Sequence, residues 1–380
     1  MSQQDESHAG GAPQGALSGV RVLDLSRLLP GPFATMVLAD LGATVDKVED
    51  PRGGDYLRFM PPQGEGGVNP VFTMLNRGKR SVVLDLKTED GKEALKALVA
   101  QADVLVESFR PGVLTKLGLG YETLSVLNPK LIYCAISGYG QDGPLVDRAG
   151  HDLNYLARAG VMGFTGPADG APQVPGVQIA DIGGGALYAV IGILAALQER
   201  ARTGRGKMVD ISMCEGALSF AAFGIGLRAG GMEFPRGQDM LMGGIAPYGT
   251  YRTKDGKYVS LASLEAKFWN AFCQGVGIET KMDALMPGPH QKDVKAKLAT
   301  IFAERTRDEW AAFADEHDCC LEPILEPHEL ESDPQHMARG VFAAGLGNPR
   351  TPIAPACSGP APSQGEHTTQ ILTEAGIPKK

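Results

Sequence analysis

The chain has 380 residues, with 36 Lys and Arg set against 44 Asp and Glu, a formal charge of −8. That balance excludes a general nucleic-acid binder, which needs surplus cations to neutralise phosphates, and the length implies two domains rather than one core. Cys134, Cys214, Cys273, Cys319, Cys320 and Cys357 are scattered without C-x-x-C spacing, so neither a zinc site nor a disulfide framework is expected. Residues 1–17 are mostly polar and read as a disordered leader rather than a signal peptide. No stretch reads as long and apolar enough to span a bilayer, so a cytoplasmic location without membrane contact is expected.

From Gly19 the chain alternates. Gly19 to Ser26 is a short apolar strand, Pro32 to Leu41 has helical spacing behind a proline, and Thr44 to Glu49 is the next strand. Ser81 to Leu86, a helix over Glu89 to Gln101, Asp103 to Phe109 and Leu131 to Ser137 continue the series. Strands joined by helices predict an α/β layer structure, a Rossmann-like parallel sheet covered by helices. A helix from about His151 follows, then a longer one from about Ile182 to Arg202, whose Leu187, Val190, Ile191, Leu194 and Leu197 form a wide apolar face. Lys207 to Ser212 returns as a strand and Glu215 to Leu227 as a helix.

The Gly- and Pro-rich stretch Ala229 to Gly249 marks a linker. Beyond it, two strand-like runs meet at Lys254-Asp-Gly, a hairpin signal, and helices follow over Lys267 to Gly277, Gln291 to Arg305 and Asp308 to His317. The expected domains are therefore 18–228 with 333–380, Rossmann-like, and 229–326, smaller and α+β. Asp333 to Gly340 reads as a short helix and Asn348 to Pro362 as an extended return path.

The stretch with most chemistry runs from Arg148 to Gly185. His151 and Asp181 each stand at the first turn of a predicted helix, where free N–H groups and the helix dipole favour an ionised Asp181 and a neutral His151. Asp181 also suits an N-cap, worth about 1 kcal/mol, and a capping carboxylate keeps one oxygen for a ligand. Gly183, Gly184 and Gly185 strip the turn of side chains, so a ligand carbonyl could approach bare amides there. Asp152, next to His151, points away from it and reads as a cap or salt-bridge residue. Gly138-Tyr-Gly-Gln-Asp-Gly143 satisfies G-x-G-x-x-G after a strand, but Pro144 leaves no helix for a pyrophosphate, which argues against a dinucleotide. Asn76, Lys79, Arg80 and Arg110 stand near predicted strand ends, where doubly wound sheets bind ligands. Met208, Met213, Met232, Met240 and Met242 could fill a core or line an acyl pocket.

Arg148 to Tyr155, the Asp181 turn, Thr203 to Lys207, the hairpin Tyr251 to Tyr258 and Leu264-Glu-Ala-Lys-Phe268 resemble the α-methylacyl-CoA racemase branch of the family III CoA-transferase superfamily. The likeness runs from about Gly19 to about Gly376, and Ala-Gly-His-Asp-Leu-Asn-Tyr is its most specific part. It implies the family III fold as an interlocked homodimer in which the tail rejoins the first domain. It further implies an acyl-CoA substrate, with coenzyme A entering as part of the thioester and no separate cofactor or metal. Catalytic roles would fall to His151 and Asp181, with Glu265 orienting the histidine from the partner subunit. Asn76, Lys79, Arg80 and Arg110 would hold the nucleotide, and Tyr139, Gly183 and Gly184 would lie beside the thioester. The transferase branch, in which Asp181 attacks as a nucleophile, is the second reading, supported by Lys47-Val-Glu-Asp-Pro-Arg-Gly-Gly-Asp55; a non-catalytic acyl-CoA binder is the third.

Overall fold

A computed structural model describes residues 15–377 apart from 234, 346 and 356–358; most of the expected leader, and Cys357, lie outside the described residues. Six strands, β1 (Arg21–Asp24), β2 (Thr44–Glu49), β3 (Arg80–Val83), β4 (Val104–Glu107), β5 (Ile132–Ser137) and β6 (Met208–Ser212), form one sheet in the order β3-β2-β1-β4-β5-β6. Every pairing is parallel. Strands β4 and β5 are buried along their whole length, the pattern of a sheet covered on both faces. Helix α1 (Pro30–Asp40) starts on a proline and is buried at nine positions. Helix α2 (Glu89–Val99) is amphipathic, capped by Thr88 through the Gly91 amide, and turns Leu95, Leu98 and Val99 into the core.

Three further helices build the region around the predicted site. These are α3 (Asp152–Arg158), α4 (Ile179–Thr203) and α5 (Met213–Ser219). Through Leu187 the opening of α4 is a π-helix, a widened form often found at functional sites. At 25 residues α4 passes the length and apolarity test for a membrane span, contrary to the expectation that no stretch would. Its packing on α1, β5, β6 and α5, with Ala180, Ala189, Val190 and Ile193 buried, is that of a core helix. The expected helix from Glu215 to Leu227 is two helices, α5 and a second over Ala222–Ala229.

The chain divides into two compact units. The first runs to Ala159 and includes Val177–Ser219 and everything from Pro334; the second comprises Gly160–Gly176 and Phe220–Asp333. The second unit is thus larger than the expected 229–326. Residues 160–176 belong to it because the Arg236 guanidinium donates to the carbonyls of Pro167 and Gly170, and because Gly224 lies against the Phe164 ring. Its sheet is the expected hairpin, β7 (Tyr248–Arg252) and β8 (Tyr258–Ala262), plus an antiparallel strand, β9 (Leu321–Pro323), that periodicity did not reveal. Helices α6 (Ala266–Gly275), α7 (Gln291–Phe302) and α8 (Arg307–Glu316) cover it around Trp269, Phe272, Phe302, Trp310 and Phe313.

At the end of the first unit, α9 (Thr368–Glu374) and the residues before it bind the edge of β3. The Ser81 amide donates to His367 Nδ1, the Val83 amide to Thr368 Oγ1, and the Gly365 amide to Ser81 Oγ. The tail therefore rejoins the parallel-sheet unit and covers its open strand. Leu17, the last residue of the expected leader, is instead buried, and its amide bonds to the Leu41 carbonyl.

Candidate active site

Strand order reverses between β1 and β4, so the loops after them part and leave a crevice at the C-terminal end of the sheet, the usual ligand position in such folds. A cleft of about 480 Å³ lies there. Arg27, Leu28 and Pro30 enter it after β1, Ser108 to Pro111 after β4, and Ser137 to Tyr139 at the end of β5; Arg148, His151, Asn154, Tyr155, Asp181 and Met213 are among the rest of its lining. The loop after β1 is anchored from beneath. Lys47 Nζ donates to the Ser26 carbonyl, and the Leu28 amide, at φ 65°, donates to Asp55.

His151 occupies the N-cap position of α3, with its side chain exposed. Its amide donates to Asn154 Oδ1 (3.0 Å), and its carbonyl accepts from the amides of Asn154 (2.8 Å) and Tyr155 (3.2 Å). Asp181 lies half-buried in the π-helical opening of α4. Burial foremost, and then the Asp152 carboxylate, push its carboxyl up to about 6, while His151 pulls the other way. The helix dipole had suggested a readily ionised Asp181, but here desolvation and a like charge outweigh it.

Asp152 is a cap, as expected, but not of its own helix. Its Oδ1 accepts the amides of Ala180 (2.7 Å) and Asp181 (2.9 Å), joining the start of α3 to the start of α4. Those two amides are consequently not bare donors for a ligand. The glycine triplet has a packing role as well. A Cβ at Gly184 would lie 2.6 Å from both the Ala217 nitrogen and the Met213 carbonyl oxygen, and one at Gly185 would lie 2.8 Å from Met213 Cγ, so α4 and α5 touch backbone to backbone. Gly184 is buried and Gly183 half-buried; neither lines the cleft.

Three of the four residues expected at a nucleotide are engaged elsewhere. Lys79 Nζ is buried against Asp24 Oδ2 (3.0 Å), Thr35 Oγ1 (2.7 Å), Asn76 Oδ1 (3.0 Å) and the Pro32 carbonyl (3.1 Å). Asn76 completes that cluster, its amide group donating to the Phe72 carbonyl. Arg80 forks onto Asp46 and reaches Glu374. Arg80 opens β3, whereas ligands of parallel sheets gather where strands end. Arg110 does line the cleft, together with Arg27 and Arg148. Arg27 was legible in principle, as the first long polar side chain after β1. Tyr139 also lines the cleft. Gly140 (φ 91°) and Gly143 (φ 81°) serve left-handed turns, while a Cβ at Gly138 would collide with the Tyr155 ring, so the G-x-G-x-x-G spacing reflects loop geometry.

Glu265 stands at the N-cap position of α6 in the second unit, exposed, and is not among the residues lining the cleft. Of the methionines, only Met213 lines it; Met208 packs on the first core, and Met240 and Met242 belong to a short helical turn of the second unit.

Residues 17–375 match the family described as CoA-transferase family III. The chain is 40% identical to the alpha-methylacyl-CoA racemase of Mus musculus, over 95% of this chain and 93% of that protein. It is 34% identical to the succinyl-CoA:glutarate CoA-transferase of the same organism, over 94% and 86% respectively. The crystal structure of a CAIB/BAIF family protein from Brucella suis superposes with a TM-score of 0.81 at 35% identity, covering 95% of this chain and all of that one.

Proposed function

Since this chain belongs to CoA-transferase family III, we propose that it interconverts the enantiomers of 2-methylacyl-CoA thioesters by moving the α-proton between two side chains. One observation carries the reading. An imidazole and a carboxyl raised to about 6 line a single cleft, the two kinds of side chain that most often move protons in catalysis. His151 takes the proton from one face while protonated Asp181 delivers to the other, and the roles exchange in reverse. With the Ala180 and Asp181 amides occupied, enolate stabilisation falls to the first-turn amides of α3, at Asp152 and Leu153, which as in any helix lack an intrahelical acceptor. Arg27, Arg110 and Arg148 supply cations for the phosphates of CoA. The scheme calls on no metal and no nicotinamide. We further propose that Glu265 orients the imidazole from a second copy of the chain.

The likeness to a succinyl-CoA:glutarate CoA-transferase favours a second reading, in which Asp181 attacks the thioester and forms a mixed anhydride. Incubation with a 2-methylacyl-CoA in deuterated water, with and without a free carboxylic acid, separates the two. Acceptor-independent entry of deuterium at the α-carbon, abolished for one enantiomer chiefly by His151→Ala, supports the epimerase. CoA exchange that requires the acid and is trapped by hydroxylamine supports the transferase instead. Equal loss from both enantiomers in His151→Ala would count against two separate bases.

A further inference from the structure

The motif around His151 assigned no task to Tyr155. Tyr155 is 6% exposed, sits one helical turn after His151 on α3, and lines the same cleft. Its hydroxyl donates to the carbonyl of Gly150, the residue just before His151. Its ring fills the space where a Cβ at Gly138 or Gly150 would stand, and it meets the Tyr139 ring edge to face, with centroids 5.2 Å apart at 84°. Two glycines and a second aromatic ring thus form a fitted socket for one phenol.

That phenol closes the last open side of the His151 backbone. The His151 amide is held by Asn154 Oδ1 and its carbonyl by the amides of Asn154 and Tyr155. The preceding carbonyl is held by the Tyr155 hydroxyl. With both flanking peptide groups immobilised, the Cα–Cβ bond of His151 has a fixed direction, and a catalytic group needs placement within fractions of an ångström. Burial foremost, and then the Asp181 carboxylate, raise the ionisation of the same phenol to about 12. The hydroxyl therefore remains a donor throughout the working pH range.

We infer that Tyr155 is a positioning residue, which by holding the Gly150 carbonyl directs the His151 imidazole at one face of the reacting carbon. The inference rests on the two-base reading and deepens it. A strut that merely stabilised the fold would affect both proton-transfer directions alike, because Asp181 and His151 share the cleft. A strut that aims His151 affects one.

The test uses Tyr155→Phe in the full chain, which keeps the ring in its socket and deletes the hydroxyl. Wash-in of α-deuterium is measured separately from each enantiomer of a 2-methylacyl-CoA, with His151→Ala marking the direction that depends on the imidazole. The expected result is a loss of about tenfold in kcat for that direction, with KM and the opposite direction within about twofold. Equal losses in both directions, or none, overturn the inference while leaving the epimerase reading intact. In parallel, ¹³C-labelled histidine ring signals are recorded for the native chain and Tyr155→Phe, the His151 signal being assigned by its absence in His151→Ala. The His151 signal is expected to move while the other six stay put; an unmoved His151 signal overturns the inference. Should the native enzyme wash in no deuterium, the functional reading fails and the His151 signal alone decides the matter of aim.

Discussion

Asp152 Oδ1 accepts the amides of both Ala180 and Asp181, so the residue beside one proposed base caps the helix that bears the other. The contact does two things. It fixes the start of α4 relative to the start of α3, and it places a negative charge where it raises the Asp181 carboxyl. Asp152→Asn keeps an oxygen acceptor but removes the charge. In the direction in which ionised Asp181 takes the proton, Asp181 governs the acid limb of the kcat/KM profile, and that limb should then move down by about one pH unit. Asp152→Ala loses the cap as well, and unfolding by denaturant should show a deficit of about 1 kcal/mol. An unmoved acid limb in Asp152→Asn would mean that the Asp152 charge does not tune Asp181.

The raised value of Asp181 also has a cost in stability, whose sign is opposite to that of a salt-bridged carboxylate. Its folded value of about 6 lies above the ordinary 3.8, so the folded state binds this proton more tightly than the unfolded chain does. The contribution is fully present below pH 3.8 and is lost as pH rises through 6. Asp181→Asn should therefore raise the Tm at pH 8, by about 2 °C if part exposure limits the effect to about 1 kcal/mol, and leave it unchanged at pH 4. Activity should vanish at both. A Tm that rises equally at the two pH values would point to packing rather than ionisation.

The alternation of short strands with helices disclosed the six parallel strands described, because each carries Val, Ile or Leu in a short stretch set apart from the helices by turn residues. The His151 and Asp181 helix starts were legible for the same reason, periodicity switching on behind a polar residue. What stayed hidden depends on tertiary contact. Gly184 faces the backbone of α5 rather than a ligand, and a glycine carries no mark to tell the two apart. Lys79 looked like a free cation until Asp24, 55 residues away, was placed beside it. The π-helical opening of α4 has no sequence period of its own, and residues 160–176 joined the second unit through carbonyls that the distant Arg236 reaches.

Lys79 and Arg110, both expected at the nucleotide, should now behave in opposite ways. Lys79→Met strands Asp24, whose carboxyl is completely buried and held well below the usual carboxylate range against its burial by the Lys79 and Lys47 ammonium groups. Breaking such a pair costs about 3–5 kcal/mol, so denaturant unfolding should shift markedly, whereas KM of the remaining folded enzyme should not change. Arg110 is exposed at the cleft, and Arg110→Ala should leave the denaturant midpoint alone while raising KM for the acyl-CoA about tenfold, a loss of about 1.4 kcal/mol. A KM effect confined to Lys79→Met would restore the assignment made from sequence.

The crossing of α4 and α5 offers a way to move Asp181 without touching it. A methyl group at Gly184 would meet the Ala217 nitrogen and the Met213 carbonyl oxygen at 2.6 Å, and backbone on a packed helix cannot step aside as the end of a side chain can. Gly184→Ala should force the helices apart at a cost of about 1–3 kcal/mol, lower the Tm, and reduce kcat more than KM because the displaced carboxyl loses its register with the bound carbon. Gly163→Ala is the control, since a Cβ there meets nothing within 4 Å; its Tm and kcat should match the native chain. Had the triplet served to admit a ligand to bare amides, Gly184→Ala would raise KM at unchanged Tm, and that result would return Gly184 to the binding surface.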